Sequence, residues 1–234
     1  MKTCIVVPCK LADKNLYDIT LRFLDSIDKR TEYPYYEVLI YDNNSEPYLT
    51  ERLIQQIRKF NNIDKFKIST LANYRFNLSQ VYNWSLLHSN ADLFVFCNND
   101  MEIINNEWLT NIIMWFNTVP NMGICVPFQD PIGDPLKAVQ ENVLKDYGDR
   151  WFAMYAMRRN VIKEIGGFDE RFDLYCHDHD IYCTVKNKGY KILWSHNSIV
   201  KHYGDRTTIN HPKSKKYDLA KAYMLLEEKW QVRK

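Results

Sequence analysis

The sequence predicts an α/β protein built on a mostly parallel β-sheet with helices on both faces. In the first hundred residues, short apolar runs and segments of helical spacing alternate as strand, helix, strand, helix, strand, helix, strand. Such alternation requires crossover connections, and these build a parallel sheet that is covered on both sides. The chain has 234 residues, 46% of them hydrophobic, which is enough to bury the core of one such domain.

The strands of the first half are short runs rich in β-branched and aromatic residues: Cys4 to Pro8, Glu37 to Tyr41, Phe66 to Leu71 and Leu93 to Cys97. Proline cannot donate to a central ladder, so the first strand is predicted to end at Pro8. Between the strands, apolar side chains recur at helical spacing in three segments: Tyr17 to Ile27, Leu49 to Phe60 and Asn77 to Ser89.

The second half has a looser pattern, in which helices and strands are shorter. The predicted helices are Trp108 to Asn117, Asn160 to Ile165, His179 to Lys188 and an amphipathic tail from Tyr217 to Trp230 that packs back on the domain. The predicted strands are Gly123 to Phe128, Trp151 to Met157, Lys191 to Trp194 and Ser198 to His202. The proline-rich segment after Phe128 is predicted to be a loop.

The bulk properties exclude several classes of protein. A net charge of +2, from 31 basic and 29 acidic residues, gives no electrostatic footprint for nucleic acid, which is therefore not favoured as the main partner. No apolar run approaches membrane length, so no transmembrane segment is expected. The six cysteines form no CxxC pair, which favours reduced thiols and a cytoplasmic location.

Polar residues follow the predicted strands where ligands bind in parallel sheets, beyond the carboxyl ends. Pro8, Asp42 and Asp100 all lie at such ends, so we expect them to converge on one crevice. A second acidic cluster, His177 to Asp180, follows far downstream. One acid that holds a metal and another that takes a proton would make a transferase.

Six segments, in this order, carry a resemblance to a known family: IVVPCK, EVLIYDNNS, NYRFNLSQVYNWSL, ADLFVFCNND, GGFDERFDLYCHDHDIY and GYKILWSHNSIVKHYG. Together they resemble the family 2 glycosyltransferases of the GT-A fold, from Met1 to about Gly204, and the closing EEKWQ resembles tails of that family. The resemblance implies a Rossmann-like sheet with a small acceptor-side subregion. It also implies inverting, metal-dependent transfer from a nucleotide sugar, a UDP-sugar, to a hydroxyl acceptor.

The same resemblance implies one GT-A domain over residues 1–234. Residues 1–100 would bind the nucleotide sugar, residues 101–204 would form the acceptor and catalytic half, and residues 205–234 would form the tail helix.

The resemblance assigns the donor site to residues of the first half. Asp42 matches a strand-end acid that hydrogen-bonds the base, and Pro8 with its backbone would form the opposite wall. Asn73 and Arg75 lie in the stretch beside the nucleotide. The alternative for DNNS is a plain turn, because Asp, Asn and Ser favour turns.

The segment CNND stands where the family carries its DxD motif, with Asn98 in place of the first acid. The resemblance makes Asp100 the direct ligand of a divalent ion, Asn99 a donor contact and His202 the second protein ligand. An imidazole ligand favours Mn²⁺ over Mg²⁺. The alternatives are a solvated loop and a structural histidine.

In CHDHD, Asp178 matches the catalytic base, which takes the proton of the acceptor hydroxyl as it attacks opposite the diphosphate. The surrounding acceptor side would include Trp151, Tyr155, Arg158, Asp169, His177 and Asp180. His177 departs from the family's usual Glu. Asp180 has a plain alternative role as an acid in the first turn of a helix.

Three other interpretations stay open. Cys176, His177, His179 and Cys183 could bind zinc, although their spacing fits no common structural pattern. The chain could be a silent nucleotide- or sugar-binding module. It could also modify nucleic-acid bases, with the basic segment from His211 to Lys216 contacting DNA. The identities of the sugar and of the acceptor depend on the loop from Gln129 to Arg150, and the sequence does not predict them.

Overall fold

A computed structural model describes residues 1–71, 76–130, 144–146, 152–204 and 212–231, with the main chain alone at 130, 144–146 and 212–218. The strands are β1 Thr3–Cys9, β2 Tyr36–Asp42, β3 Phe66–Thr70, β4 Leu93–Cys97, β5 Met101–Ile103, β6 Met122–Asp130, β7 Leu144–Asp146, β8 Met154–Arg158 and β9 Lys191–His202. The α-helices are α1 Lys14–Arg30, α2 Pro47–Ile57, α3 Leu78–His88, α4 Trp108–Thr118, α5 Arg159–Glu164, α6 His177–Asn187 and α7 Pro212–Trp230.

The strands form one sheet in the order β3-β2-β1-β4-β8-β6-β9-β5, with β7 paired to β9. Strands β1 to β4 pair in parallel, as predicted from their alternation with helices. Strand β8 runs antiparallel to both β4 and β6, while β6 and β9 are parallel. The predicted α/β class is confirmed, and the antiparallel strands belong to the second half.

Helices cover both faces of this sheet because the strand residues alternate in direction. One face packs Ile5 and Val7 of β1 against α1, α2 and α4. The other packs Cys4 and Val6 of the same strand against α3, α5 and α6. Helix α7 lies outside these layers and buries Leu226 against Phe172. No helix among the described residues is both long and apolar enough to cross a bilayer.

Local signals in the sequence set several helix ends. Asp13 caps α1 by accepting the N–H of Leu16 at 2.8 Å, and Asn77 caps α3 by accepting the N–H of Gln80 at 2.9 Å. Pro47 begins α2, where its missing N–H would have no partner in any case.

Strand β1 continues one residue beyond its predicted end at Pro8. The N–H of Thr3 donates to the carbonyl of Tyr35, and the carbonyl of Cys9 accepts the N–H of Asn43. The backbone N–H and C=O groups of the odd-numbered residues of β1 therefore point toward β2. The backbone nitrogen of Pro8 therefore points toward β4, and the pairing of β1 with β4 has already ended at Val6 and Phe96. The missing N–H of Pro8 breaks no ladder bond there, which is why proline is tolerated in this central strand.

The two short strands predicted at residues 191–194 and 198–202 form a single strand, β9. Its register against β6 shifts between the pairs Pro127–Ser195 and Phe128–Ile199. The residues inserted there contact α4, since Ser198 Oγ donates to the carbonyl of Trp108 at 2.8 Å. The polar break in the sequence is thus a bulge and not a strand end.

Candidate active site

The carboxyl ends of β1, β2 and β4 meet at one edge of the sheet. Cys9 lies opposite Asp42 in the parallel register, and Val6 lies opposite Phe96, just before CNND. Strand β9 runs parallel to β6 and brings His202 to the same edge, where it pairs with Met101. The predicted convergence of strand ends is confirmed, and residues from both halves of the chain meet there.

Asp42 is 1% exposed, and both oxygens of its carboxylate bind groups of the protein. Oδ1 accepts the N–H and the hydroxyl of Ser45, and Oδ2 accepts the hydroxyl of Thr50 at 2.8 Å. Asp42 therefore shapes the DNNS turn, in which Asn44 has a left-handed φ of 48°. The hydrogen bond between Asp42 and the base of the nucleotide stays a prediction.

Asn43 is a residue that the sequence did not single out. It directly follows β2, its side chain is half-buried, and its backbone N–H donates to the carbonyl of Cys9 at 2.8 Å. Its amide offers both a donor and an acceptor at this edge. The only sequence signal was its place one residue beyond the strand-end acid.

The side chains of Asp100 and His202 lie next to each other at this edge of the sheet. Nε2 of His202 lies 3.3 Å from Oδ1 of Asp100, and neither buried atom has a hydrogen-bond partner in the described part of the chain. Asp100 is 5% exposed, and its carbonyl accepts the N–H of Tyr203 at 2.9 Å. The pairing of β5 with the end of β9 thus holds two unpaired ligand atoms side by side.

These atoms fit a divalent cation. Two adjacent octahedral ligands at ~2.1 Å from an ion lie ~3.0 Å apart, close to the observed 3.3 Å. A buried polar atom without a partner costs about 1–3 kcal/mol, a cost that a bound cation would remove. Among the described residues no group of three or more His, Cys, Asp or Glu side chains could hold a metal ion, and this includes the four residues considered for zinc.

Asn99 is buried, and its Nδ2 donates to Thr20 Oγ1 of α1 at 2.8 Å. The N–H of Asn98 donates to the carbonyl of Ala153 at 2.8 Å. The side-chain amide of Asn99 and the backbone amide of Asn98 therefore hold the CNND turn against neighbouring elements, and this positions Asp100. The predicted donor contact of Asn99 stays a prediction.

Asp178 lies in the first turn of α6, which begins at His177, two residues earlier than predicted. Cys176, which directly precedes this helix, adopts a left-handed φ of 61°. Asp178 is 4% exposed. Its Oδ2 accepts the N–H of Phe152 and its Oδ1 that of His179, both at 3.0 Å. A carboxylate has about four lone-pair sites, so these two bonds orient it and leave capacity for an acceptor hydroxyl.

His177 is 8% exposed, and its ring meets the ring of Tyr82 edge-on at 5.8 Å. Its Nδ1 has no hydrogen-bond partner within the described ranges. Burial lowers the pKa of His177 below its ordinary value, which favours the neutral imidazole. Its role toward an acceptor stays a prediction.

The carboxylates of Asp169 and Asp180 have partners inside the chain. Arg171 forms a bidentate ion pair with Asp169, and Lys229 of α7 donates to both Asp169 and Asp180. The Arg171 guanidinium and the Lys229 ammonium hold the pKa of Asp169 well below its usual range. Contact of these two acids with an acceptor stays a prediction.

Two further residues predicted on the acceptor side, Arg158 and Tyr155, have contacts inside the fold, and their contact with an acceptor stays a prediction. The guanidinium of Arg158 donates to the carbonyl of Phe116 at 2.7 Å, so it packs on α4. Tyr155 is 1% exposed in the core beside Phe96. Asn73, Arg75, Trp151 and His211 lie outside the described residues, as does most of the loop from Gln129 to Arg150.

Helix α3 holds the turn that precedes the predicted base. The N–H of Leu78 donates to the carbonyl of Asp173, and Ser79 Oγ to that of Phe172, both at 2.6 Å. Asn83 accepts the N–H of Phe168 and donates to its carbonyl, both at 2.9 Å. Spacing along the chain could not predict this role of Asn83, because its partners lie about 85 residues away.

Comparison with known proteins decides the family. The glycosyl transferase family 2 profile matches residues 4–170. The chain belongs to this family. The family predicted from the six segments is thereby confirmed, and it is a family of enzymes.

Among relatives, O-antigen biosynthesis protein RfbC of Myxococcus xanthus is 25% identical over 218 aligned residues. The match covers 82% of this chain but 16% of that protein, so this family 2 chain spans only a small part of its relative.

Solved structures share the fold. GalNAc-T7 with UDP, GalNAc and Mn²⁺ gives a TM-score of 0.71 at 16% identity, over 86% of this chain and 43% of that one. The mannosyltransferase PcManGT of Pyrobaculum calidifontis, with GDP-Man and Mn²⁺, gives 0.59 at 17% identity, over 83% and 56%. S. aureus TarS 1-349 with UDP-GlcNAc gives 0.63 at 17% identity, over 86% and 58%. These likenesses confirm the GT-A fold.

Proposed function

We propose that this chain is a metal-dependent, inverting glycosyltransferase that moves a sugar from a nucleotide sugar, a UDP-sugar, to a hydroxyl acceptor. The observation that carries the proposal is the pair Asp100 and His202, with two buried, unpaired ligand atoms 3.3 Å apart at the edge where the strands end. Asp178, in a separate element, supplies the second carboxylate that the reaction needs.

Asp100 and His202 would hold a divalent cation. When bound, the cation offsets the negative charge that builds on the departing diphosphate. A carboxylate oxygen with an imidazole nitrogen suits Mn²⁺ better than Mg²⁺, which prefers oxygen ligands. GalNAc-T7 and PcManGT, which share this fold, were solved with Mn²⁺.

Asp178 would act as the base. Its carboxylate accepts the proton of the acceptor hydroxyl while that oxygen forms a bond to the anomeric carbon. The bond from the anomeric carbon to the diphosphate oxygen breaks on the opposite face, and its electron pair leaves with the nucleotide. The configuration at the anomeric carbon is therefore inverted. The backbone N–H groups of Phe152 and His179 keep the carboxylate in one orientation through the step.

The edge formed by β1 and β2 would bind the base of the nucleotide. Pro8 forms one wall and the DNNS turn the other, with Asp42 as the predicted reader of the base. Because both oxygens of Asp42 are already engaged, we include the adjacent Asn43 as a second candidate for that contact. Uridine nucleotides bound to GalNAc-T7 and TarS favour uracil as the first base to test.

Five of the six cysteines are buried. Burial raises the pKa of Cys4 to about 12, which keeps its thiol protonated and unreactive. Buried, protonated thiols and the lack of a CxxC pair in the sequence suit a reducing compartment, so we propose a cytoplasmic location.

A binding and turnover panel tests the proposal. The purified chain is combined with UDP, GDP, UDP-GlcNAc, UDP-GalNAc or GDP-Man, each with Mn²⁺, Mg²⁺ or chelator. Thermal unfolding and release of nucleoside diphosphate are then measured. We expect Mn²⁺-dependent stabilisation by uridine nucleotides and slow release of UDP from one UDP-sugar.

Failure of every nucleotide to stabilise the chain with Mn²⁺ present would contradict the proposal. Binding without release or transfer would favour the silent module instead. Steep salt dependence of binding to duplex DNA would favour a nucleic-acid acceptor.

A further inference from the structure

The last turn of α7 contacts the segment that carries Asp178. Leu226 of α7 is buried in one cluster with Phe172 and Cys176, which precede α6. Lys229 and Trp230 follow on the same helix and are partly buried. The end of α7 is therefore packed against the segment that carries the proposed catalytic base, Asp178, although α7 ends about fifty residues further along the chain.

Lys229 joins two acids of that segment. Its Nζ lies 2.8 Å from Oδ2 of Asp169 and 2.8 Å from Oδ1 of Asp180. The side chain of Lys229 is 26% exposed, whereas that of Asp180 is 3% exposed. A carboxylate so buried needs a cation and hydrogen-bond donors, because desolvation of an unpaired charge is strongly unfavourable.

Trp230 supplies the second donor to Asp180. Its Nε1 donates to Oδ1 of Asp180 at 2.7 Å, so the carboxylate is bound by two neighbouring side chains of α7. The N–H of Asp180 donates to the carbonyl of Cys176 at 2.9 Å, which closes the first turn of α6. Asp178 lies inside that turn, two residues before Asp180.

We propose that Lys229 and Trp230 are positioning residues for Asp178. By binding Asp180 they fix the first turn of α6, and by binding Asp169 Lys229 fixes the turn before it. The end of α7 thus sets the orientation of the base toward the acceptor. The inference rests on the proposed function, in which Asp178 takes the proton.

Single substitutions test this role. Lys229→Met removes the ammonium and keeps a long side chain, Lys229→Arg keeps the charge, and Trp230→Phe removes the indole N–H. Lys221→Met is the matched control, because Lys221 is exposed on the same helix. For each variant we would measure kcat and KM for UDP release from a UDP-sugar, the affinity for UDP with Mn²⁺, and hydrogen exchange of amides 177–181.

We expect Lys229→Met to lower kcat about 10- to 100-fold, because displacement of a reacting group by about 1 Å has effects of this size. Affinity for UDP with Mn²⁺ should stay within about twofold of wild type, since Lys229 binds Asp169 and Asp180 on the side of the catalytic base. Amides 177–181 should exchange faster. Lys229→Arg should restore most of kcat, Trp230→Phe should show a smaller fall, and Lys221→Met should match wild type.

The inference is overturned if Lys229→Met keeps the kcat of wild type, or if kcat and nucleotide affinity fall together. If Lys229→Met does not fold, a wild-type kcat in Trp230→Phe overturns it equally. Asp178→Asn separates the two proposals. Full activity of Asp178→Asn would refute the proposed base, whereas an inactive Asp178→Asn beside a fully active Lys229→Met would refute the positioning role alone.

Discussion

Nε2 of His202 and Oδ1 of Asp100 lie 3.3 Å apart, and each lacks a hydrogen-bond partner among the residues that the structure describes. Such a contact between two buried polar atoms is unfavourable unless a proton or a cation lies between them. Asp100 and His202 come from β5 and β9 regions about one hundred residues apart, so tertiary structure alone brings them together.

Asp100→Asn should therefore abolish stabilisation by Mn²⁺ with UDP. A ligand at 100 times its dissociation constant stabilises the wild type by about 2.7 kcal/mol, and the variant should lose the metal-dependent part. In chelator, the variant should unfold no earlier than wild type, because the carboxylate oxygen that faces His202 has no hydrogen-bond partner among the described residues. Thermal unfolding measures both effects. Asp64→Asn, at an exposed position, is the control, and equal Mn²⁺ responses in all three proteins would contradict the metal site.

Asp178→Asn should lower turnover by about 10²- to 10⁴-fold, the usual contribution of a general base. The amide can still accept hydrogen bonds from Phe152 or His179, so the fold should persist. Steady-state release of UDP gives the rate, and calorimetric titration gives the affinity for UDP with Mn²⁺. We expect the affinity to be unchanged. A variant that retains most of its turnover would exclude Asp178 as the base.

Ser45→Ala and Thr50→Val should each lower the free energy of unfolding by about 0.5–1.5 kcal/mol, because each removes a hydrogen bond to buried Asp42. Asn43→Ala should leave the stability nearly unchanged and weaken the binding of UDP. Urea unfolding and calorimetric titration distinguish these outcomes. If Asn43→Ala binds UDP as wild type does, Asn43 makes no contact with the base.

Gly123→Ala should destabilise the fold by about 1–3 kcal/mol through overpacking. An added Cβ would lie 2.5 Å from Cγ1 of Val185 and 2.7 Å from Cβ of Tyr190, and neither atom is the end of a flexible chain. In a Val185→Ala background the added penalty should be smaller, because the nearer contact is gone. Urea unfolding of the four proteins in this cycle measures the coupling, and strictly additive effects would contradict the contact.

His177 should make the stability depend on pH below about 6.5. Burial lowers its pKa in the folded state, so the unfolded chain binds more protons between the folded pKa and the ordinary value near 6.5. Stability therefore rises with pH through this window and gains nothing further from His177 above it. His177→Phe should reduce the slope by up to about 1.4 kcal/mol per pH unit. Urea unfolding between pH 5 and pH 8 measures this, and equal slopes in both proteins would contradict it.

Helical spacing and continuous apolar runs predicted most of the fold, because each covering helix has one buried face whereas the parallel strands β1, β2 and β4 are buried on both faces. The parallel half, the covering helices and the end of β4 at Cys97 all follow from these signals. Strand β5 has three residues and β7 also has three, which is too short for any period. In β9 a polar bulge interrupts the pattern, and the sequence therefore predicted two strands.

The sequence placed acids at the correct edge but did not predict their partners. Asp42, Asp169 and Asp180 are bound by side chains of the chain itself, and for Asp180 those side chains lie about fifty residues away. Propensity and spacing contain no information about such distant pairs. Asp100 and His202 were predicted as a pair only through the family resemblance.

Helix α3 holds the turn at residues 168–173 largely through main-chain groups: its donors bind the carbonyls of Phe168, Glu170, Phe172 and Asp173. A carbonyl is present whatever the side chain, so a substitution at an exposed position such as Glu170 leaves the hydrogen bond from Asn77 to the Glu170 carbonyl in place. Mutational drift can therefore diversify the outer surface of this turn while the geometry behind it persists.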